Sequence, residues 1–380
     1  MVKKKIRMGM IGGGHGSFIG ILHRVAAYMG EDYNLVGGAF DFDYDRAKLF
    51  AEELELDLSR VYENIDVFIE KELALDKDTR IEVVVIVTPN FLHYSMAKKL
   101  IEAGFNVICE KPVTTTSAEA LDLEALVEKN KVVFALTHTY TGYPMVRQMK
   151  TMIAKGIIGK IQKIDAQYYQ GWINPVIHDK NERSKVWRLD PAKAGISSCM
   201  GDIGVHAFNM IEYTTGMKVK KVLSDLSTLY EDNALDVDGT VLLRMNDDVR
   251  GVIRSSQIAT GEENNLQIAV YGTKGGFKWE QENPNYLYYF KEGEPYQVLK
   301  PGNPYNGDFA QESTKMAPGH PEGIFDSMGN IYKGTARAIR KESNIHEGSF
   351  PTINDGVRGM QFIEATVASS QNGNVWTEIS

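Results

Sequence analysis

Over the first 140 residues, short apolar runs alternate with segments whose apolar positions recur every three or four residues. Residues 6–11, 35–40, 82–87, 106–109 and 132–136 read as strands. Residues 18–28, 45–54, 92–102 and 117–130 read as helices between them, and Gly104 is a natural stop for the third. The run ending Val83-Val84-Val85-Ile86-Val87 is almost wholly β-branched, which suits a strand buried on both faces. Strands and helices in alternation predict a doubly wound α/β domain with a parallel sheet. After about residue 160 the pattern changes. Residues 160–169 read as a strand and residues 219–300 as a meander of hairpins. Turns are expected at Asn246-Asp247-Asp248, Thr273-Lys274-Gly275-Gly276 and Gly293. Leu266, Ile268 and Val270 alternate with Gln267, Ala269 and Tyr271, so this strand has one buried face. Residues 325–340 and 355–369 close the chain as helices. The expected division is a nucleotide-binding α/β domain over 1–140. An α+β domain on a large, open, mostly antiparallel sheet follows over 141–380, with its closing helices able to pack back on the first domain.

Composition narrows the function. The 380 residues are 43% hydrophobic and 24% charged, as in globular proteins, and the net charge is −8. An acidic chain with one short basic run, Lys3-Lys4-Lys5, is not expected to bind nucleic acid. Two cysteines, Cys109 and Cys199, make no disulfide framework. The apolar runs are too short for a membrane span, and the N-terminal basic stretch lacks the rest of a signal peptide. A cytoplasmic enzyme or binding protein without membrane partners is the expectation.

The first strand runs into Gly12-Gly13-Gly14-His15-Gly16-Ser17, which fits G-x-G-x-x-small with Ser17 in the third slot. Glycine at 12 permits the tight turn, and glycine at 14 admits a pyrophosphate to the backbone. The following helix offers amides and a positive dipole end. Asp41 ends the second strand. It would bond the ribose hydroxyls of NAD and repel the 2′-phosphate of NADP, or else merely cap the next helix, as Asp43 or Asp45 could. NAD over NADP rests on this aspartate, with NADP not excluded. Two further strand ends carry polar clusters, Thr88-Pro89-Asn90 with His93, and Glu110-Lys111-Pro112. In a parallel sheet these ends converge on one crevice.

Together with Gly201-Asp202-Ile203-Gly204-Val205-His206, these motifs resemble the Gfo/Idh/MocA family of NAD(P)-dependent oxidoreductases, which includes inositol dehydrogenases and glucose–fructose oxidoreductase. The resemblance implies a Rossmann domain, then a sheet domain through which dimers or tetramers assemble. It implies that Lys111 positions the reacting oxygen, Asp202 binds the sugar and His206 takes the proton. The residue types agree. Asp202 and His206, four apart, share a face if they lie on a helix. A histidine suits general base catalysis, and a lysine stabilises a developing alkoxide.

Tyr140, Trp172, Trp187, Arg188 and His320 are the candidates for contact with the substrate, since aromatics with polar tips suit sugar rings. Many family members carry arginine where Tyr140 stands, so the resemblance implies a neutral polyol here. His138 reads as a buried structural histidine, and residues 167–170 as the surface of an edge strand. No metal-ligand spacing is present. The leading function is hydride transfer between NAD and a secondary alcohol of a sugar, inositol or related polyol. An NAD-retaining glycosidase and a non-catalytic nucleotide sensor stand as alternatives.

Overall fold

A computed structural model describes residues 3–380. The chain forms two compact units. The first takes the residues up to Thr114, then 118–139 and 325–357, and the second takes 115–117, 140–324 and 358–380.

In the first unit five strands form a wholly parallel sheet in the order β2-β1-β3-β4-β5. They are β1 (Ile6–Gly12), β2 (Tyr33–Ala39), β3 (Val83–Val87), β4 (Asn106–Cys109) and β5 (Phe134–Leu136). Five helices connect them: α1 (Phe18–Met29), α2 (Tyr44–Glu53), α3 (Ile65–Leu73), α4 (His93–Glu102) and α5 (Ser117–Asn130). Val83, Val84, Val85 and Ile86 have no exposed surface, as a central strand covered on both faces requires. A single parallel bridge, Gly38 to Val61, extends the sheet past β2. The strand order reverses between β1 and β3, which places a ligand crevice at their carboxyl ends. The apolar pattern gave no helix at α3, although Asn64 caps it by accepting from the Asp66 and Val67 amides.

The second unit starts with α6 (Pro144–Ala154) and β6 (Ile161–Tyr169), followed by the one-turn helices α7 (Asn174–Ile177), α8 (Lys180–Arg183) and α9 (Pro191–Ala194). A π-helical turn at Met200–Gly204 leads into α10 (Val205–Thr215). Seven further strands follow, β7 (Val219–Ser227), β8 (Asp238–Met245), β9 (Arg250–Ser256), β10 (Asn265–Gly272), β11 (Gly275–Glu280), β12 (Leu287–Lys291) and β13 (Gln297–Leu299); the expected single meander is corrected, because β6 lies between β9 and β10. Helices α11 (Asp308–Ser313), α12 (Ile324–Ile339) and α13 (Ile353–Gln371) and the short β14 (Thr377–Glu378) complete the chain. From Phe325 onward α12 belongs to the first unit, and α13 joins the second from Arg358.

The nine strands run β13-β12-β11-β10-β6-β9-β8-β7-β14. Strand β6 is therefore central, antiparallel to β10 and parallel to β9. This corrects the edge-strand expectation for Gln167, Tyr168, Tyr169 and Gln170. A parallel pair needs a long crossover, which local hairpin signals cannot reveal. The inward face carries Ile164, Ala166, Val241, Leu243, Ile253, Leu266, Ile268 and Val270, all buried. Phe208 of α10 stacks on Phe362 of α13 with ring centroids 4.4 Å apart. The opposite face exposes Leu242 and Tyr271. Among the described residues, no helix is long and apolar enough to cross a membrane.

Candidate active site

Gly12 ends β1 at φ +76°, a conformation that a side chain would strain. Gly13, Gly14, His15 and Gly16 carry the loop to Ser17. Ser17 does not fill the third glycine's role. It is the N-cap of α1, its hydroxyl accepting from the Gly20 amide at 3.0 Å. Close packing falls instead to Gly20, where a Cβ would stand 2.3 Å from the Gly13 carbonyl oxygen. Arg24 donates to that same carbonyl at 2.7 Å. His15 turns its ring edge onto Phe50 of α2, centroids 5.1 Å apart.

Asp41 lies just past β2. Its Oδ1 accepts from the Asp43 amide at 3.0 Å, and its Oδ2 lies 3.3 Å from Arg46 Nε. The cap of α2 is Asp43. Beyond β3, the Thr88 hydroxyl is buried with no hydrogen-bond partner. Pro89 and Asn90 follow, Pro89 exposed and Asn90 opening a short 3₁₀ turn. A buried orphan hydroxyl at a crevice-facing strand end is a group awaiting a ligand. With the glycine turn, the capped helix start and an acid after β2, it fits a dinucleotide. His93 does not join this set. It is fully buried, with Nδ1 2.7 Å from the Pro112 carbonyl oxygen and Nε2 2.8 Å from that of Thr88. It packs two strand-end loops together, its single N–H donating to one of these carbonyls.

Glu110 and Lys111 follow β4, and the Lys111–Pro112 peptide is cis. Glu110 Oε1 takes the Thr137 hydroxyl at 2.6 Å and lies 2.9 Å from His23 Nε2, while Oε2 accepts from the Lys111 amide at 3.2 Å. Burial alone would raise this carboxyl, but His23, Thr137 and the Lys111 charge together hold it below its usual range. Glu110 is thus a fixture behind Lys111. His138, past β5, is buried as expected. Desolvation and then the Lys111 charge push it down to about 3, with Glu110 opposing.

In the second unit Asp202 sits in the π-helical turn. The expectation of a shared α-helical face for Asp202 and His206 is thereby modified, because a wider turn separates them; such turns recur at functional sites. Asp236 holds the start of this turn, its two oxygens accepting from the Ser198 amide at 3.0 Å and the Met200 amide at 2.9 Å. Asp202 Oδ2 accepts from Gln257 Nε2 at 3.0 Å and lies 3.3 Å from Arg188 Nε. Arg188 packs over Trp187 at 4.4 Å and Trp172 at 5.9 Å from the ring centres. The segment bearing them rests on its own small core of Ile173, Ile177, Leu189 and Val237. Three of the five expected substrate contacts thus gather at Asp202.

A fourth, Tyr140, stands edge-on to the His206 ring with centroids 4.8 Å apart. Its hydroxyl is 2.5 Å from that of Tyr168, which donates to Asn264 Oδ1 at 2.6 Å. Gln170 donates to the same oxygen at 2.9 Å. The fifth, His320, lies exposed on the loop after α11, its Nδ1 3.1 Å from the Ala317 carbonyl oxygen. No hydrogen bond or ring contact joins it to Asp202 or His206. Sequence reasoning missed Gln257, Tyr168 and Asn264. Among the described residues, no group of three or more His, Cys, Asp or Glu is placed to hold a metal ion.

Residues 6–138 match the model of the oxidoreductase family with an NAD-binding Rossmann fold, and residues 146–278 that of the GFO/IDH/MocA C-terminal domain. An uncharacterized oxidoreductase of Bacillus subtilis, YfiI, is 35% identical over 100% of this chain and 98% of its own length. An inositol dehydrogenase homologue from Azotobacter vinelandii, solved with NAD+, superposes with a TM-score of 0.93 at 32% identity, covering 99% of this chain and 97% of that one. The same homologue solved with NADH and myo-inositol gives 0.91 at 31% identity, covering 99% and 98%.

Proposed function

Because this chain belongs to the Gfo/Idh/MocA family and is an NAD-binding oxidoreductase, we propose that it oxidises a secondary alcohol of a sugar, an inositol or a related neutral polyol, or reduces the matching ketone. The observation that carries this reading is the second unit's cluster. Asp202 is held by Gln257 and by the Trp-stacked Arg188, one turn from a buried His206 lying against Tyr140. A carboxylate with a fixed orientation accepts hydroxyl hydrogens, and a stacked tryptophan–arginine platform suits the face of a ring. The bound myo-inositol of the Azotobacter vinelandii homologue supports the same substrate class.

Each side chain has a role in this reaction. Gly12, Gly14, Gly16 and Ser17 cradle the pyrophosphate at the start of α1, and Asp41 takes the ribose hydroxyls. Thr88, Pro89 and Asn90 line the strand end, where the orphan Thr88 hydroxyl gains a partner. NAD, when bound, accepts the hydride in the oxidising direction. Lys111 bonds the reacting oxygen and stabilises its developing negative charge. His206 removes the hydroxyl proton as general base. Asp202 holds the ring in register through a neighbouring hydroxyl. Assembly of copies through the open face of the second sheet, which exposes Leu242 and Tyr271, completes the reading.

The test is nicotinamide absorbance with NAD, then NADP, against neutral sugars, inositols and anhydrosugars. Lys111→Ala is the blank. The expected result is reduced cofactor with one polyol and none in the blank. His206→Ala should lower turnover by about 10²–10⁴-fold, as loss of a general base does, with cofactor affinity retained. Free sugar released with no net reduced cofactor would replace this reading with a glycosidase. Tight cofactor binding without any turnover would replace it with a sensor.

A further inference from the structure

Three side chains from distant parts of the sequence form one hydrogen-bonded line inside the first unit. Tyr332 on α12 places its hydroxyl 2.6 Å from His23 Nδ1, and His23 Nε2 lies 2.9 Å from Glu110 Oε1. His23 has no exposed surface, and Tyr332 has 1%. The carbonyl of Tyr332 accepts the Tyr33 hydroxyl at 2.8 Å, which fixes this end of the line. The far end is Lys111, whose amide donates to the other Glu110 oxygen at 3.2 Å.

The direction of the protons follows from the chemistry of the groups. Burial pushes the Tyr332 phenol well above its ordinary range, so it keeps its proton and donates to Nδ1. An imidazole accepting at Nδ1 carries its hydrogen on Nε2 and donates it to the carboxylate. Glu110 then receives the His23 ring, the Thr137 hydroxyl and the Lys111 amide, and every contact agrees with a single orientation. His23 also lies on α1, the helix whose first turn takes the pyrophosphate in the function proposed above.

We propose that His23 and Tyr332 are positioning residues for Lys111. The phenol sets the imidazole tautomer, the imidazole fixes the Glu110 carboxylate, and the carboxylate fixes the backbone from which the Lys111 side chain leaves. The inference rests on the role given to Lys111 above. It adds two residues that reach Lys111 only through Glu110, one of them supplied by α12, far along the chain.

The experiment uses the full-length protein. His23→Ala should lower kcat by about ten- to a hundredfold, the range for losing a hydrogen bond to a charged group, with KM for substrate and Kd for NAD little changed. His23→Gln, whose amide can still donate toward Glu110, should recover most of that loss. Tyr332→Phe keeps the ring and removes only the donor, so it should lower kcat while the thermal midpoint falls less than in His23→Ala. Nitrogen NMR of the cofactor-free wild type should show His23 as the Nε2–H tautomer, and Tyr332→Phe should shift it. Unchanged kcat in His23→Ala and Tyr332→Phe, while Lys111→Ala is inactive, would overturn the inference and leave the function standing. So would an Nδ1–H tautomer in the wild type. Normal turnover by Lys111→Ala would overturn the function and this inference with it.

Discussion

Arg46 Nε lies 3.3 Å from Oδ2 of Asp41, the residue expected to choose between NAD and NADP. The sequence shows no arginine directly after Asp41, but the first turn of α2 brings one back to it. The acid is therefore partly neutralised, and a cation able to meet a 2′-phosphate stands beside it. Asp41→Ala should weaken NAD about tenfold or more, as loss of charged hydrogen bonds does, and leave NADP binding equal or tighter. Adding Arg46→Ala should then remove the NADP binding that remains. Nicotinamide fluorescence titrations with both cofactors measure this. Equal losses for NAD and NADP in Asp41→Ala would dismiss the ribose role.

Gln257 is wholly buried and spends its amide on Asp202, while its own oxygen accepts the Ser198 hydroxyl at 3.2 Å. Gln257→Leu leaves the carboxylate short of a donor at a cost of about 1–3 kcal/mol. The substrate KM should rise about tenfold or more on that scale, with NAD affinity unchanged because the cofactor's loop is in the other unit. Steady-state kinetics with varied substrate, paired with cofactor titration, separates the two. A KM equal to that of the wild type would show that Gln257 only packs.

His138 predicts a particular pH dependence of stability. Its ordinary value is 6.5, and burial and the Lys111 charge lower it to about 3 in the folded protein. Below 6.5 the unfolded chain therefore takes a proton that the folded chain refuses, so the unfolded state gains as pH falls. The contribution of His138 is complete above pH 6.5 and is lost progressively as pH falls toward 3. Thermal unfolding across that window should fall less steeply in His138→Gln than in the wild type. Parallel curves would mean that the ring protonates without cost.

Gly20 packs on Gly13 more tightly than any side chain allows. Gly20→Ala should cost about 1–3 kcal/mol through overpacking and should displace the loop enough to weaken NAD. Ser17→Gly should cost only a few tenths of a kcal/mol, since glycine is a tolerable N-cap. Melting curves and cofactor titration of the two variants test the assignment, and a larger loss in Ser17→Gly would reverse it.

The parallel sheet, the hairpins and the phosphate loop were legible because each is written in local periodicity and turn chemistry. The central position of β6 was not, because its parallel pairing with β9 joins segments far apart in sequence. The missed polar residues had a signal all the same. Ile164, Ala166 and Tyr168 share one strand phase, as do Ile253, Ser255 and Gln257, and Asn264 precedes Leu266 and Ile268 in the same phase. A polar residue in the inward phase of a strand either finds a partner or is a defect. His93 misled for the opposite reason. Its neighbours Thr88 and Asn90 look like ligand residues, and only the fold shows the ring buried between two backbone carbonyls.

The partner of His23 lies 309 residues further along the chain. On the ribosome, the N-terminal half is therefore translated early and finished late. Until Phe325–Val357 emerges, the first unit lacks the helix that covers His23 and holds Tyr332. Burial of His23 and its bond to the phenol have to wait for nearly the whole polypeptide. Both units therefore close only at the end of synthesis, the first on Phe325–Val357 and the second on Arg358–Ser380.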